Sequence, residues 1–394
     1  MGMDRADSDV ALFARTNFRN ERKVFGIKRA DRRAHMYVVG KTGTGKSTLI
    51  ETLIAHDLES GEGLAVFDPH SDLIRRVLSR VPERRRDDLI YFNATEPGQP
   101  LGFNPLERVP VPKRPLAASA LLDAFKKLWA DSWGPRLEHV LRNALLGLLD
   151  QPSATLADVL PLLTDRTFRR AAIMHMVNPQ VRTFWSQEYE GYPARFRAEA
   201  IAPIQNKVGA FLSNPLLYKI LAASETTLNL RKIMDERKIL LVDLAKGKMG
   251  GDASALLGAL LVASVGWSAF GRADVLEEDR ADFYVYLDEF HTFTTLSLAG
   301  MLSELRKYHV GLILAHQYAA QLDPPVRDAI FGNAGTIISF RVGLDDAEVL
   351  AKEFYPVFSE PDLISLPDHH IYLKLMIDGV PSRPFSAETL PPAD

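Results

Sequence analysis

The sequence predicts an α/β fold, a mainly parallel sheet carrying an inserted all-α domain, on three observations. An apolar run, His35-Met36-Tyr37-Val38-Val39, leads into a glycine-rich loop and then a helical pattern from Thr48 to Ile54. A second run, Phe283-Tyr284-Val285-Tyr286-Leu287, ends in two acids, Asp288 and Glu289. Between them, from 116 to 235, the periodicity is helical almost without break. Short apolar runs alternating with helical patterns are how a parallel sheet, covered on both faces, reads in sequence.

The glycine-rich loop is Gly40-Lys41-Thr42-Gly43-Thr44-Gly45-Lys46-Ser47, followed by Thr48. That is the full G-x-x-x-x-G-K-[ST] pattern in the strand–loop–helix setting it requires. Glycines let successive N–H groups turn inward around phosphate oxygens, and the new helix aims its positive end at the same anion. Residues 40–48 are therefore expected to bind the phosphates of ATP, with Lys46 reaching the β- and γ-phosphates and Ser47 ligating Mg²⁺. A glycine-rich turn without a ligand would not need all eight positions and both flanks in order. The fold class sharpens to a RecA-like P-loop NTPase core.

Asp288, at the end of its strand, is the expected second anchor for Mg²⁺. Glu289 is the expected general base, since hydrolysis needs a carboxylate near the attacking water. The acids could instead cap the next helix, but a small-molecule kinase would not need the second one, so ATP hydrolysis is favoured. After a helix over Ser297–Tyr308, the strand Gly311–Ala315 ends in His316-Gln317. Gln317 is expected at the P-loop edge, where an amide can sense the γ-phosphate or hold the water; the alternative is an ordinary polar strand end. A further strand covers Thr336–Arg341.

The rest of the chain bounds these readings. It has 394 residues, 46% hydrophobic and 25% charged, enough for one large domain or two. A net charge of −3 excludes a globally basic coat, so any nucleic-acid contact must come from a local patch. Cys is absent, which removes disulfides and thiolate metal sites and suits a reducing compartment. The start, Met1-Gly2-Met3-Asp4-Arg5-Ala6-Asp7, lacks the apolar core of a signal peptide. Residues 1–34, with Arg29, Arg32 and Arg33, are expected to be a solvated N-terminal segment.

Gly63–Asp68 is a buried strand whose final acid, Asp68, either lies near the metal or caps the helix Ser71–Arg80, which Pro82 closes. Arg75, Arg76, Arg80, Arg84, Arg85 and Arg86 are expected on a solvent face. After the strand Leu89–Phe92, Pro97, Pro100, Pro105, Pro110, Pro112 and Pro115 take the chain out of the sheet. It re-enters at Lys238–Leu244. Ala253–Gly271 is uncharged over 19 residues, near the length of a membrane span, but it lies between two strand runs and is expected to be a core helix. The basic loop Lys246–Gly251 could face a channel or pack on a neighbouring subunit. Without an H-E-x-x-H spacing, His291 and His316 are read as structural neighbours of the site. The expected parts are 1–34, a first core part 35–115, the insertion 116–235, and a second core part with the tail, 236–394.

Several stretches together resemble the HerA–FtsK superfamily of DNA-pumping ATPases: residues 40–47, Phe67-Asp68-Pro69-His70, Phe103-Asn104-Pro105-Leu106 and Leu287-Asp288-Glu289-Phe290. Arg306-Lys307-Tyr308 with His316-Gln317, and Gly332-Asn333 with Phe340-Arg341, extend the likeness from about residue 25 to the C-terminus. Within it the chain is most similar to the conjugative coupling proteins of type IV secretion (TraG/TraD type). The resemblance implies a hexameric ring around DNA, with each ATP at a subunit interface. It also implies a trans arginine from the helix before the Gln-bearing strand, which Arg306 matches, with Arg341 as runner-up. Expected partners are DNA, further copies of the chain, and a relaxase or type IV secretion components. Unlike coupling proteins, which begin with transmembrane helices, this sequence shows none, so a cytoplasmic protein recruited to the inner face of the membrane is expected. The alternatives are a HerA-like DNA end-processing helicase, a secretion ATPase acting on protein, and a nucleotide-timed scaffold.

Overall fold

The computed structural model describes residues 9–18, 21–96, 102–107 and 109–392. The expectations for residues 1–7, Pro97, Pro100 and the last two tail residues lie outside them. Two compact units emerge: Met1–Phe92, Arg231–Leu244 and Ala269–Asp394 in the first, Asn93–Leu230 and Ala245–Ser268 in the second.

The strands are β1 (Val10–Thr16), β2 (Val24–Lys28), β3 (Met36–Val39), β4 (Gly63–Asp68), β5 (Leu89–Asn93), β6 (Ile239–Asp243) and β7 (Phe283–Leu287). They continue with β8 (Val310–His316), β9 (Thr336–Ser339), β10 (His370–Lys374), β11 (Met376–Ile377), β12 (Val380–Pro381) and β13 (Phe385–Thr389). All but the small β11–β12 hairpin join one 11-stranded sheet, in the order β2-β1-β13-β10-β9-β3-β8-β7-β4-β6-β5. From β9 through β6 neighbouring strands are parallel, while β10, β13, β1 and β2 add an antiparallel wing.

The sequence explains this division. β3, β4, β6, β7 and β8 are continuous apolar runs buried at every position, as strands covered on both faces must be. β10 alternates buried and half-buried positions, as a strand with one wetter face does. The helix Lys46–Ser60 lays Leu49, Ile50, Leu53, Ile54 and Leu58 on Met36, Val38, Leu64, Val66, Ile313 and Ile338 of the sheet. It ends at Gly61, whose φ of +78° suits the left-handed turn after a helix.

The solvated N-terminal segment is corrected by the structure. β1 and β2 belong to the sheet, and Ala11, Phe13, Ala14 and Ile27 are core residues. Phe13 meets Phe25 edge-on at 5.5 Å, and Phe25 meets Phe385 at 5.4 Å, which ties the hairpin to β13. Arg32 and Arg33 are no solvent face either. Arg32 is 2% exposed, and its Nη1 and Nη2 donate to Asp57 at 2.5 and 2.8 Å. Tyr286 OH accepts from Arg32 at 2.7 Å and donates to Asp57 at 2.5 Å, closing a buried triangle. Arg33 pairs with Asp282 at 2.6 Å, and Arg29 with Glu62 at 2.7 Å.

Removing one partner of such a pair leaves a charge stranded in the core. Asp57→Ala is expected to lower stability by about 3–5 kcal/mol, read as a fall in the urea midpoint at constant slope. An unchanged midpoint would show that the triangle contributes nothing net.

The basic run of residues 75–86 is neutralised locally. Arg76 and Arg80 share Glu51 at 2.8 Å each, Arg84 pairs with Glu59 at 2.6 Å, and Arg86 with Glu83 at 2.9 Å. Arg85 is buried and donates to the Glu62 and Arg237 carbonyls at 2.7 and 2.5 Å.

The second unit is helical over Arg114–Leu128, Pro135–Leu149, Val159–Thr164, Arg166–His175, Ala194–Leu212 and Pro215–Leu221. Its aromatic side chains cluster: Trp129 stacks between Phe125 and Phe211 at 4.7 and 6.0 Å, and the buried Trp185 packs on Phe184 and Tyr189. The helix Gly251–Phe270 connects β6 to β7. It is the one described helix long and apolar enough to cross a membrane, and 78% of its apolar window is buried within the fold.

Candidate nucleotide site

β3 lies between β8 and β9, and β8 separates it from β7. Because these strands are parallel and in register, with Val39 opposite His316 and Leu287 opposite Leu314, their C-terminal ends open on one edge. The loop after β3, the acids after β7 and Gln317 after β8 meet there. This is the position at which open α/β sheets hold ligands.

In the loop, Gly43 and Gly45 have φ of +82° and +117°, backbone that a side chain would strain. The Thr44 hydroxyl donates to the Lys41 carbonyl at 2.7 Å. Lys46 turns back on its own loop, its Nζ donating to the Gly40 and Lys41 carbonyls at 2.5 and 3.0 Å. Burial lowers its pKa, opposed by the charges of Glu289 and Asp288. Lys41, Thr42 and Gly43 are exposed, Ser47 and Thr48 half-buried.

The loop is braced from behind by residues whose role the sequence did not reveal. The Lys41 N–H donates to the Arg341 carbonyl and the His369 N–H to the Thr44 carbonyl, each at 2.8 Å. A Cβ at Gly40 would lie 2.5 Å from Phe340 Cβ, and one at Gly45 would lie 2.8 Å from His369 Nδ1. Both glycines are therefore required by close approach as well as by the pattern. Phe340 and Arg341 stand out in the sequence only through the resemblance; His369 carries no signal at all.

Across from the loop, Asp288 is pushed up to about 7 by burial, then by the charges of Asp68 and Glu289, against the pull of Lys46. Asp68 itself caps the helix Asp72–Arg80: its two oxygens accept from the N–H groups of His70, Leu73 and Ile74 at 2.7, 2.8 and 3.2 Å. Glu289 sits at φ +46° and is 8% exposed. Its Oε1 accepts from Gln317 Nε2 at 2.9 Å, and its Oε2 lies 3.4 Å from His291 Nδ1.

A carboxyl crowded by other carboxylates suits a place beside a bound cation. Among the described residues no group of three or more His, Cys, Asp or Glu could hold a metal ion alone. Ser47 and Asp288 could therefore hold a metal only with nucleotide oxygens and water completing its shell, which is the habit of Mg²⁺.

Arg306 is not brought to this edge. It is exposed in the turn Leu305–Tyr308 before β8, so the seven-residue strand puts it about 20 Å from its own chain's loop. There it lines a cavity of about 390 Å³ with His35, Leu302, Asn333 and Lys374. Arg341 lies beside its own P-loop, donating to Asp368 at 2.7 Å and to the Leu366 carbonyl at 3.0 Å. In the second unit, residues 246–249 form a short helix with Lys246 and Lys248 exposed.

No curated protein matches the chain. Among solved structures, the bacterial conjugative coupling protein TrwB is similar at 17% identity and a TM-score of 0.67, over 94% of this chain and 86% of that one. TrwB in complex with ADP and Mg²⁺ gives 17% identity and a TM-score of 0.66, over 94% and 87%. VirB4 of Thermoanaerobacter pseudethanolicus gives 14% and 0.61, over 99% and 98%. These likenesses establish the RecA-like P-loop NTPase fold. The sequence model of the HerA helicase central domain matches residues 30–248, more than half of the chain and the whole P-loop with it. The chain therefore belongs to the family of the HerA helicase central domain, as a P-loop ATPase of the HerA–FtsK superfamily.

Proposed function

We propose that the chain is an ATP-driven DNA translocase working as a ring, the coupling ATPase of a conjugative or type IV secretion system. The observation that carries the catalytic part is the meeting of Lys46, Ser47, Asp288, Glu289 and Gln317 on one sheet edge. TrwB, a plasmid coupling protein known in complex with ADP and Mg²⁺, supports the choice of system.

In this reading residues 40–48 cradle the triphosphate, and Lys46 leaves its loop carbonyls for the β- and γ-phosphates. Ser47 and Asp288 would hold Mg²⁺, which would supply positive charge to offset that developing on the phosphoryl group. Glu289 takes a proton from the attacking water as the water oxygen bonds to the γ-phosphorus. The bond to the bridging oxygen breaks, and ADP leaves. Gln317 turns its amide to the γ-phosphate, and Arg306 serves the site of the adjoining subunit, since its own lies a strand's length away.

The arginines of residues 75–86 are largely taken up by local acids, and the exposed Lys246 and Lys248 are the candidates for DNA contact in this reading. Double-stranded DNA is expected to stimulate ATP hydrolysis, with the stimulation falling steeply as salt rises, because each neutralised phosphate releases counterions. No response at any ionic strength, in a preparation shown to be hexameric, would turn the assignment to a secretion ATPase acting on protein. Stimulation greatest at free duplex ends would favour a HerA-like end-processing helicase. The protein is then expected in the cytoplasm, held at the membrane by a partner.

A further inference from the structure

Two residues beyond Glu289, His291 stands in the turn Phe290–Thr292 with no part in the reaction described above. Its Nδ1 faces Glu289 Oε2 at 3.4 Å, while Gln317 holds Oε1 at 2.9 Å. The carboxylate is thus hydrogen-bonded at Oε1 from the end of β8, while its buried Oε2 accepts no hydrogen bond among the described residues and has His291 Nδ1 of its own turn as a near neighbour. The contact to His291 is longer than an ordinary N–H···O bond, as contacts of this kind often are before substrate binds.

The surroundings give His291 a fixed seat. Its ring centroid is 6.2 Å from that of His316, which is fully buried and packed 4.7 Å from Phe290. His316 Nε2 is in turn 2.7 Å from the Tyr37 hydroxyl, in the strand that delivers the P-loop. Burial first, then His291 and Lys46, lower the His316 pKa to about 3, so a neutral ring backs His291. Glu289 is equally constrained, since its left-handed backbone fixes the direction in which the side chain leaves.

The two neighbours of the carboxylate differ in what happens next. Gln317 is the group assigned to the γ-phosphate, so its amide cannot serve Glu289 and the phosphate in the same way throughout a cycle. His291 lies on the same turn as Glu289 and moves with it. We propose that His291 is a positioning residue for Glu289: its Nδ1–H keeps the carboxylate aimed at the attacking water once Gln317 turns to the nucleotide. This rests on Glu289 being the base and Gln317 the phosphate sensor. The pair Gln317–Glu289 is then the resting arrangement, and His291–Glu289 the working one.

The test compares three variants of the full chain in the assembled enzyme, with ATP and Mg²⁺. His291→Phe keeps the ring without a donor, His291→Ala removes both, and His291→Asn returns an N–H near the Nδ1 position. The Phe and Ala variants are expected to lose kcat by about 10–100-fold, the scale of a misaimed catalytic group, at an unchanged nucleotide Kd. His291→Asn is expected to recover most of the loss. Wild-type kcat in the Phe variant, or an Asn variant as slow as Phe, would overturn the proposal. So would a parallel loss of nucleotide binding and thermal stability in all three, which marks a structural role. A wild-type enzyme that binds ATP without hydrolysing it would instead overturn the ATPase reading of the site, which separates the two failures.

Discussion

Arg306→Ala is expected to reduce ATP hydrolysis by the assembled enzyme roughly 10³–10⁵-fold, or about 4–7 kcal/mol of transition-state stabilisation. Nucleotide binding by the isolated subunit should not change, because Arg306 stands at the N-terminal end of β8 and the P-loop at the other. No side chain bridges a seven-residue strand, so any action of Arg306 on an ATP must cross a subunit boundary. The decisive measurement mixes Arg306→Ala subunits with Lys46→Ala subunits. Each interface that joins an intact P-loop to an intact Arg306 should fire, so the mixture should exceed either variant alone. A mixture no more active than its components would remove Arg306 from the site. Arg341 is a weaker alternative, since its backbone carbonyl holds Lys41 and its guanidinium is paired with Asp368 in the same chain.

Glu289→Gln should act on a different quantity. The substitution keeps the shape and a hydrogen-bonding head group but cannot take a proton, so kcat should fall by about 10²–10⁴. Binding of ATP should persist, because Lys46 and the loop donors are untouched. The variant is therefore expected to hold ATP stoichiometrically, seen as retained nucleotide after rapid desalting with little phosphate release. Loss of binding together with turnover would show that Glu289 supports the loop rather than the chemistry.

The parts of this molecule written in local patterns could be read without a structure. Gly40–Ser47 announces itself through consecutive residues, and Asp288 and Gln317 through the apolar strands that end at them. The helices Pro135–Leu149 and Ala194–Leu212 follow from periodicity alone. What stayed hidden depends on partners distant in sequence. Arg32 looks like any surface arginine until Asp57 and Tyr286 close around it. The basic run at 75–86 does lie mostly on the surface, as its composition suggests, but its pairing with Glu51 and Glu59 is not visible in the sequence. β1 carries a short pattern that only β13, at the far end of the chain, completes with the Arg15–Glu388 pair at 2.8 Å. The backing of Gly45 by His369 is of the same kind: a single histidine after a turn has no pattern to betray it.

The position of β3 also sets a timetable. Its neighbours in the sheet are β8 and β9, which end at His316 and Ser339, so the strand feeding the phosphate cradle has no paired edge while most of the chain is still being made. At about 5–20 residues per second, the ribosome leaves the Gly40–Ser47 loop unsupported for many seconds after it emerges. Nascent chains arrested before β9 should therefore be retained poorly on immobilised ATP, and those released after it retained well. In this protein, nucleotide affinity would be a late signature of synthesis, acquired only when the sheet closes around its centre.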